Sequence, residues 1–363
     1  MSGRILFSIG EALIDMIPSR VGCSFDEVPA FSPRVGGAPA NVCAAVARLG
    51  GHSALLSQLG DDPFGHKIAR VLAGCGVELS HLEFTGKAST ALAFVSTAPD
   101  GTHTFNLCRK PSADLLYAPE QIDPGWFSQA FALHFCSASL VDSPMRYAHL
   151  AAITAAREAG AILSFAPNLH FSFWSSRELL RQTVWQFIPL THILKLSDEE
   201  LPFLTGTEDI EAALPVLFTG DVQLVLYTCG SKGARAYTRT ASTRARSPKV
   251  AAVDTTGAGD GFIGSLLWQL QRDGVTAARA AKTLPQPPDR VSGLFQPLLR
   301  YQRAAARRHR KLPHFGAAGA AGSRFFPALR GDFTARSVFF NIYMLYCIKS
   351  SFSHRPKGGT HAL

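Results

Sequence analysis

Among seven cysteines there is no C-x-x-C pair, and among twelve histidines there is no H-E-x-x-H. Those absences exclude the common structural-zinc and metalloprotease arrangements. An odd number of scattered cysteines also argues against a disulfide framework, so a reduced, cytoplasmic compartment is expected. Long apolar runs are missing too: Val338 to Ile348 is interrupted by Asn341 and falls short of the roughly 20 residues that a membrane span needs. The N-terminus, MSGRILFSIGEALIDMIP, has one Arg before a short apolar run and then Glu11 and Asp15. It reads as a first strand and not as a secretion signal. No internal repeat is evident. No Walker P-loop occurs, because in the TGKAS region His81 stands where the first glycine is needed and Ala88 where Ser or Thr is needed. With 47% hydrophobic and 17% charged residues, the chain is expected to be soluble and globular.

Glutamate is absent after residue 278, and the distribution of charge explains why that matters. Residues 279–363 hold 15 Lys+Arg against 2 Asp+Glu, whereas the preceding 278 residues hold 21 against 25. The net +9 therefore belongs to the tail alone, and the body is mildly acidic. Pro, Arg, Ala, Gly and Ser dominate the tail, which shows little helix or strand periodicity and is expected to be disordered or poorly packed. It offers no aromatics interleaved among ordered basic positions, so no nucleic-acid partner is expected.

Upstream, short apolar runs alternate with helical patterns, which indicates an α/β fold with a mostly parallel sheet. RILFSIG, HSALLSQLG, FALHFCSASL, AILSFAP, HILKLS and VQLVLYTCG read as buried strands. Helices are expected over Pro39 to Leu49, Gly65 to Cys75, Pro144 to Ala159, Glu199 to Thr205 and Asp260 to Gln271. STALAFVSTAPDGTHTFNLCR reads as a hairpin around Pro99-Asp100-Gly101, standing off the main sheet as a candidate lid.

Two glycine-rich segments carry the chemistry. In DTTGAGDGFIGSLLWQL, the turn Gly257-Ala258-Gly259 can aim successive backbone N–H groups into one concavity at a helix N-terminus, which makes an anion hole. Asp260 directly follows, placed to take a proton from a hydroxyl that attacks a phosphoryl group. A plain strand-to-helix connection with Asp as helix cap would read the same way when taken singly. In VGGAPANVCAAVARLGG, Gly36-Gly37 clears side chains from the backbone, Pro39 suits a first helical turn, and Asn41 offers a donor and an acceptor.

In this order and separation, the two segments resemble the signatures of the ribokinase-like carbohydrate kinases, in the bacterial fructokinase branch, over roughly Ile5 to Val275. The resemblance implies a three-layer, Rossmann-like α/β domain over residues 1–278, with a small β lid from parts of 10–35 and 88–110. It implies phosphorylation of a small sugar, fructose first among them, by ATP with Mg2+ and with K+ nearby; a homodimer through the lid is a separate expectation and not part of the likeness. Carried over, Asp260 resembles the catalytic base, with Gly257, Ala258 and Gly259 as the anion hole. Asp15, Gly36, Gly37, Asn41 and the lid residue Arg109 resemble the sugar site. Asn168, Lys195, Thr228, Gly230 and Gly233 resemble the nucleotide site. Glu200 would act on magnesium through water, and Asp254 on the monovalent cation.

Two departures qualify the likeness. The family motif D-P-N-x-R has an aspartate and an arginine where this chain has Ala166 and His170. A neutral histidine is a weak substitute for a permanently charged, bidentate arginine. The tail, moreover, does not resemble the family's last helices; its composition is what GC-rich coding DNA yields out of register, pointing to a frameshift near codon 278. A catalytically impaired remnant that binds sugar without turnover, and a kinase for another small sugar or nucleoside, are the competing expectations.

Overall fold

The computed structural model of the protein describes residues 4–20, 22–97, 103–109, 111–247 and 257–276. Asp254, the Pro99-Asp100-Gly101 turn and the basic tail from residue 279 lie outside the described residues.

Along the chain run β1 (Ile5–Ile9), β2 (Leu13–Pro18), β3 (Phe31–Gly36), α1 (Ala38–Arg48), β4 (Ser53–Gly60), α2 (Pro63–Cys75), β5 (Leu82–Thr85), β6 (Leu92–Thr97) and β7 (His103–Cys108). There follow β8 (Ala130–Cys136), α3 (Pro144–Glu158), β9 (Ile162–Ala166), α4 (Arg177–Phe187), β10 (Ile193–Ser197), α5 (Glu200–Thr205), α6 (Ile210–Leu217), β11 (Leu224–Thr228), β12 (Ala234–Tyr237), β13 (Ser242–Ala245) and α7 (Ala258–Arg272).

Nine strands form the main sheet in the order β13-β12-β11-β10-β9-β8-β1-β4-β5. It is parallel from β11 through β5, and the β12–β13 hairpin closes one edge antiparallel. The central strands are buried on both faces, and alternate side chains divide between two helical layers. Phe7, Leu133, Leu163 and Leu194 pack with α3 to α6, whereas Leu6, Ala132, Ile162 and Ile193 pack with α1 and α7. A second, four-stranded sheet in the order β3-β2-β6-β7 leaves the main one directly after β1.

Two helices were not anticipated. Helix α4 starts where the Ser176 hydroxyl accepts the Leu179 N–H and buries Leu180, Val184 and Phe187 at helical spacing. Helix α6 starts on the Asp209 side chain. The strand expected through Leu140 stops at Cys136, because Ser137–Ser139 turn into a short 3-10 segment whose first N–H is taken by the Pro167 carbonyl. This turn leaves a rim at the carboxyl end of the sheet, beside the switch in strand order between β1 and β8, where α/β sheets open a crevice.

Candidate active site

The N-cap of helix α7 is Gly257, whose φ of +71° is the left-handed conformation glycine adopts without strain. Asp260 lies in the first turn with only 8% of its surface exposed. Its neighbour is decided one turn later: a Cβ on Gly264 would stand 2.9 Å from the Ala45 Cβ and 3.3 Å from the Val42 carbonyl oxygen. The missing side chain lets α1 and α7 touch. One turn back on each helix, Asn41 Nδ2 donates to Asp260 Oδ2 at 2.9 Å.

The other carboxylate oxygen is met from β9. Asn168 Nδ2 donates to Asp260 Oδ1 at 3.3 Å. Among the described residues Asn168 is the only non-glycine with positive φ, at 51°, a conformation that asparagine tolerates better than most and that concentrates at functional sites. Burial pushes the Asp260 pKa up; the Asn41 hydrogen bond and the Lys195 charge oppose the rise, and Glu200 adds to it. A carboxyl shifted this way is a better proton acceptor than an ordinary aspartate.

Lys195 and Glu200 approach the glycine turn from β10 and α5. A Cβ on Gly259 would lie 3.4 Å from Lys195 Nζ, so the ammonium sits over the turn. Lys195 Nζ is 3.7 Å from Glu200 Oε2, and both side chains are buried. The Glu200 oxygens each accept a backbone N–H, from Leu169 at 3.1 Å and from Ser197 at 2.7 Å. The Lys195 ammonium beside the glycine turn supplies positive charge of the kind that holds a polyphosphate.

Asp15 projects from β2 over Gly36 of β3. A Cβ on Gly36 would stand 2.0 Å from Asp15 Oδ2, so only glycine admits the carboxylate. Burial first, and then the charges of Asp260 and Glu11, push the Asp15 pKa up to about 6. Three carboxylates thus act on one another, and of these Asp15, the least buried, is the one left open to hydroxyl donors. Gly37 is the α1 N-cap, with φ of +101°.

Other expected residues stand further out. Thr228 ends β11 beside Ser197 and donates to the Leu196 carbonyl, with Gly230 and Gly233 in the turn that follows. Arg109 at the end of β7 is buried and faces protein groups: it pairs with Asp114 and donates to Ser139 Oγ at 3.1 Å and the Ala138 carbonyl at 2.6 Å. Ala166 joins Ala38 and Cys136 in an apolar floor. His170 stacks on Phe173 with ring centroids 5.1 Å apart, and burial lowers its pKa against the opposing charge of Glu200. Glu11, Ser139, Asp114 and Gly264 were not anticipated at the site.

The family profile described as pfkB family carbohydrate kinase matches residues 5–284. The chain belongs to the pfkB family of carbohydrate kinases. Within this family it is 43% identical over 271 residues to probable fructokinase-4 of Arabidopsis thaliana, covering 74% of this chain and 83% of that one. The ATP-bound fructokinase of Xylella fastidiosa superposes with a TM-score of 0.71 at 36% identity, over 77% of this chain and 85% of that chain. The aminoimidazole riboside kinase of Salmonella enterica superposes with a TM-score of 0.64 at 30% identity, over 74% and 85%. The pfkB chain is accordingly a sugar kinase with the ribokinase fold. No helix among its described residues is long and apolar enough to cross a membrane.

Proposed function

We propose that the protein transfers the γ-phosphoryl group of ATP to a primary hydroxyl of fructose. The observation that carries this reading is the buried Asp260 carboxylate, held by Asn41 and Asn168 beside the glycine turn and Lys195. Asp260 takes the acceptor's proton as the hydroxyl oxygen bonds to the γ-phosphorus. The bond from phosphorus to the bridging oxygen breaks, and its electron pair leaves with ADP. The amides of Gly257 to Gly259 and the Lys195 ammonium oppose charge on the transferring oxygens. Asp15 and Asn41 receive the sugar hydroxyls, with Gly36 and Gly37 keeping the backbone open and Arg109 at the base of the lid. Thr228, Gly230 and Gly233 flank the nucleotide. Magnesium, when bound, would supply positive charge against the phosphates. The amide-held Glu200 carboxylate, with Asn168, is fixed to order its water shell, which this strongly hydrated ion largely keeps. Asp254 would serve a potassium ion. The ring cluster of Phe25, Phe31 and Phe94 on the lid, with Phe25 exposed, supports a lid-mediated homodimer.

ADP release measured over a panel of fructose, ribose, nucleosides and 2-keto-3-deoxygluconate tests the reading. Turnover is expected with fructose and is expected to vanish in Asp260→Asn; turnover confined to another acceptor would replace fructose. Ala166 and the neutral His170 favour a second reading, an impaired kinase. Thermal stabilisation by fructose, without ADP release at any ATP concentration, would select it.

A further inference from the structure

Helix α1 has a difficulty at its start. Its N-cap is Gly37, which has no side chain to meet the free amide donors of the first turn. The acceptor comes from elsewhere: Glu11, in the link between β1 and β2, takes the Ala38 N–H on Oε1 at 3.3 Å. A carboxylate at this end also suits the helix dipole.

The second oxygen of Glu11 accepts the hydroxyl of Ser139, in the turn after β8. Ser139 Oγ in turn accepts Arg109 Nη2 at 3.1 Å, and the same guanidinium pairs with Asp114, which also accepts the Ser112 hydroxyl. Glu11, Ser139, Arg109 and Asp114 are all at least 95% buried. Burial pushes the Glu11 pKa up, while the Arg109 charge and the Ser139 hydroxyl oppose it. Buried polar chains of this kind are costly unless every member is satisfied, and here the donors and acceptors match. The chain runs from the end of the lid strand β7, through Glu11, to the turn of α1 that carries Asn41, and Asn41 grips Asp260.

We propose that Glu11 is a positioning residue of the phosphoryl transfer, acting with Ser139 to tie the root of the lid at Arg109 to the first turn of α1 and so to hold Asn41 against Asp260. This rests on Asp260 being the base. Two donors converge on Glu11, and glutamine has one acceptor oxygen, so Glu11→Gln weakens the tie and Glu11→Ala removes it. Ser139→Ala cuts it at the next link with little loss of volume.

The test is steady-state kinetics of the full chain with fructose and ATP, alongside thermal melting. Glu11→Ala is expected to lower kcat at least tenfold with KM for ATP within twofold, Glu11→Gln to fall between it and the parent, and Ser139→Ala to lower kcat several-fold. The Glu11→Ala/Ser139→Ala double variant should be no worse than Glu11→Ala, because both cut one chain. The proposal is overturned if Ser139→Ala and Glu11→Gln keep kcat within twofold of the parent, if the losses multiply in the double variant, or if kcat recovers on cooling in step with regained fold. Should Glu11→Ala not fold, Ser139→Ala and Glu11→Gln decide. Turnover surviving in Asp260→Asn sinks the base assignment itself. An inactive Asp260→Asn beside parent-like Ser139→Ala and Glu11→Gln sinks only the role of Glu11.

Discussion

The two banks of the cleft solve the burial of a carboxylate in opposite ways. On the nucleotide bank, Glu200 is satisfied: two backbone amides and the nearby Lys195 ammonium hold it. On the acceptor bank, half-buried Asp15 and buried Asp260 lie near other carboxylates, and the loss of solvent raises both pKa values. Like charges gathered without full compensation destabilise the fold, and such strain concentrates where groups are kept ready for chemistry. The contrast assigns a fixed, structural electrostatics to one bank and a reactive one to the other.

The strongest way to break this contrast is to remove the cation that serves both banks. Lys195→Met keeps the buried stem but removes the charge above the glycine turn. Turnover should fall by about 10²–10³-fold, the range for loss of a donor to developing charge. A variant with near-parent kcat would mean that the turn alone stabilises the transferring group. Next in size is Gly36→Ala, whose new Cβ would occupy the space of Asp15 Oδ2. The carboxylate must swing away, so KM for the sugar should rise roughly tenfold or more, equivalent to about 1.4 kcal/mol or more of lost binding. KM for ATP should stay put, because the nucleotide bank is untouched; equal changes in both constants would refute the separation of the banks.

A smaller effect sharpens the comparison through pH. Asp15 has a folded pKa of about 6 against 3.8 for a free aspartate, so the folded state binds its proton more tightly. Its contribution to stability is complete below about pH 4 and is lost as pH rises through about 6. At pH 7 the ionised group is a burden, and Asp15→Asn should stabilise the protein by of order 1–3 kcal/mol while weakening sugar binding. The gain should shrink when melting is repeated near pH 4. In the parent, kcat/KM for the sugar should drop as the medium is acidified through about pH 6. Asp15→Asn melting below the parent at pH 7 would mean that the carboxylate stabilises the fold.

Much of this was legible in the chain. Short apolar runs gave away β1, β4, β8, β9, β10 and β11, and helical spacing gave α1, α2, α3, α5 and α7 within a few residues. The glycine turns pointed to Asp260 and Asn41 because backbone chemistry is local. What escaped was long-range. Glu11 sits beside a first strand in GEALID, where an acidic residue at the carboxyl end of a buried strand was itself a signal, yet its partners Ser139 and Ala38 lie 128 and 27 residues away. Arg109 reads as a lid cation, but its commitment to Asp114 depends on a turn that no periodicity reports. Gly264 reads as a costly glycine inside a helix until α1 is seen against it. Helices α4 and α6 were missed despite serine and aspartate caps, because α4 is largely polar between its buried positions and α6 is short and interrupted by Pro215.

The finest test puts charge back on the nucleotide bank. His170 is half-buried on Phe173, and burial lowers its pKa, so the position carries no lasting positive charge at neutral pH. Glu200 opposes that shift, which means that a cation here would be favoured by an existing neighbour. Arginine is always charged and can offer two parallel donors to a phosphate, which histidine cannot. His170→Arg should therefore lower KM for ATP or raise kcat by about three- to tenfold, corresponding to about 0.7–1.4 kcal/mol of added stabilisation. KM for the sugar should not move, since Asp15 answers to Asp260 and Glu11 and not to this bank. If His170→Arg leaves both nucleotide constants where they were, the loss of the family arginine has been absorbed by Lys195 and the glycine turn, and the nucleotide bank needs no second cation.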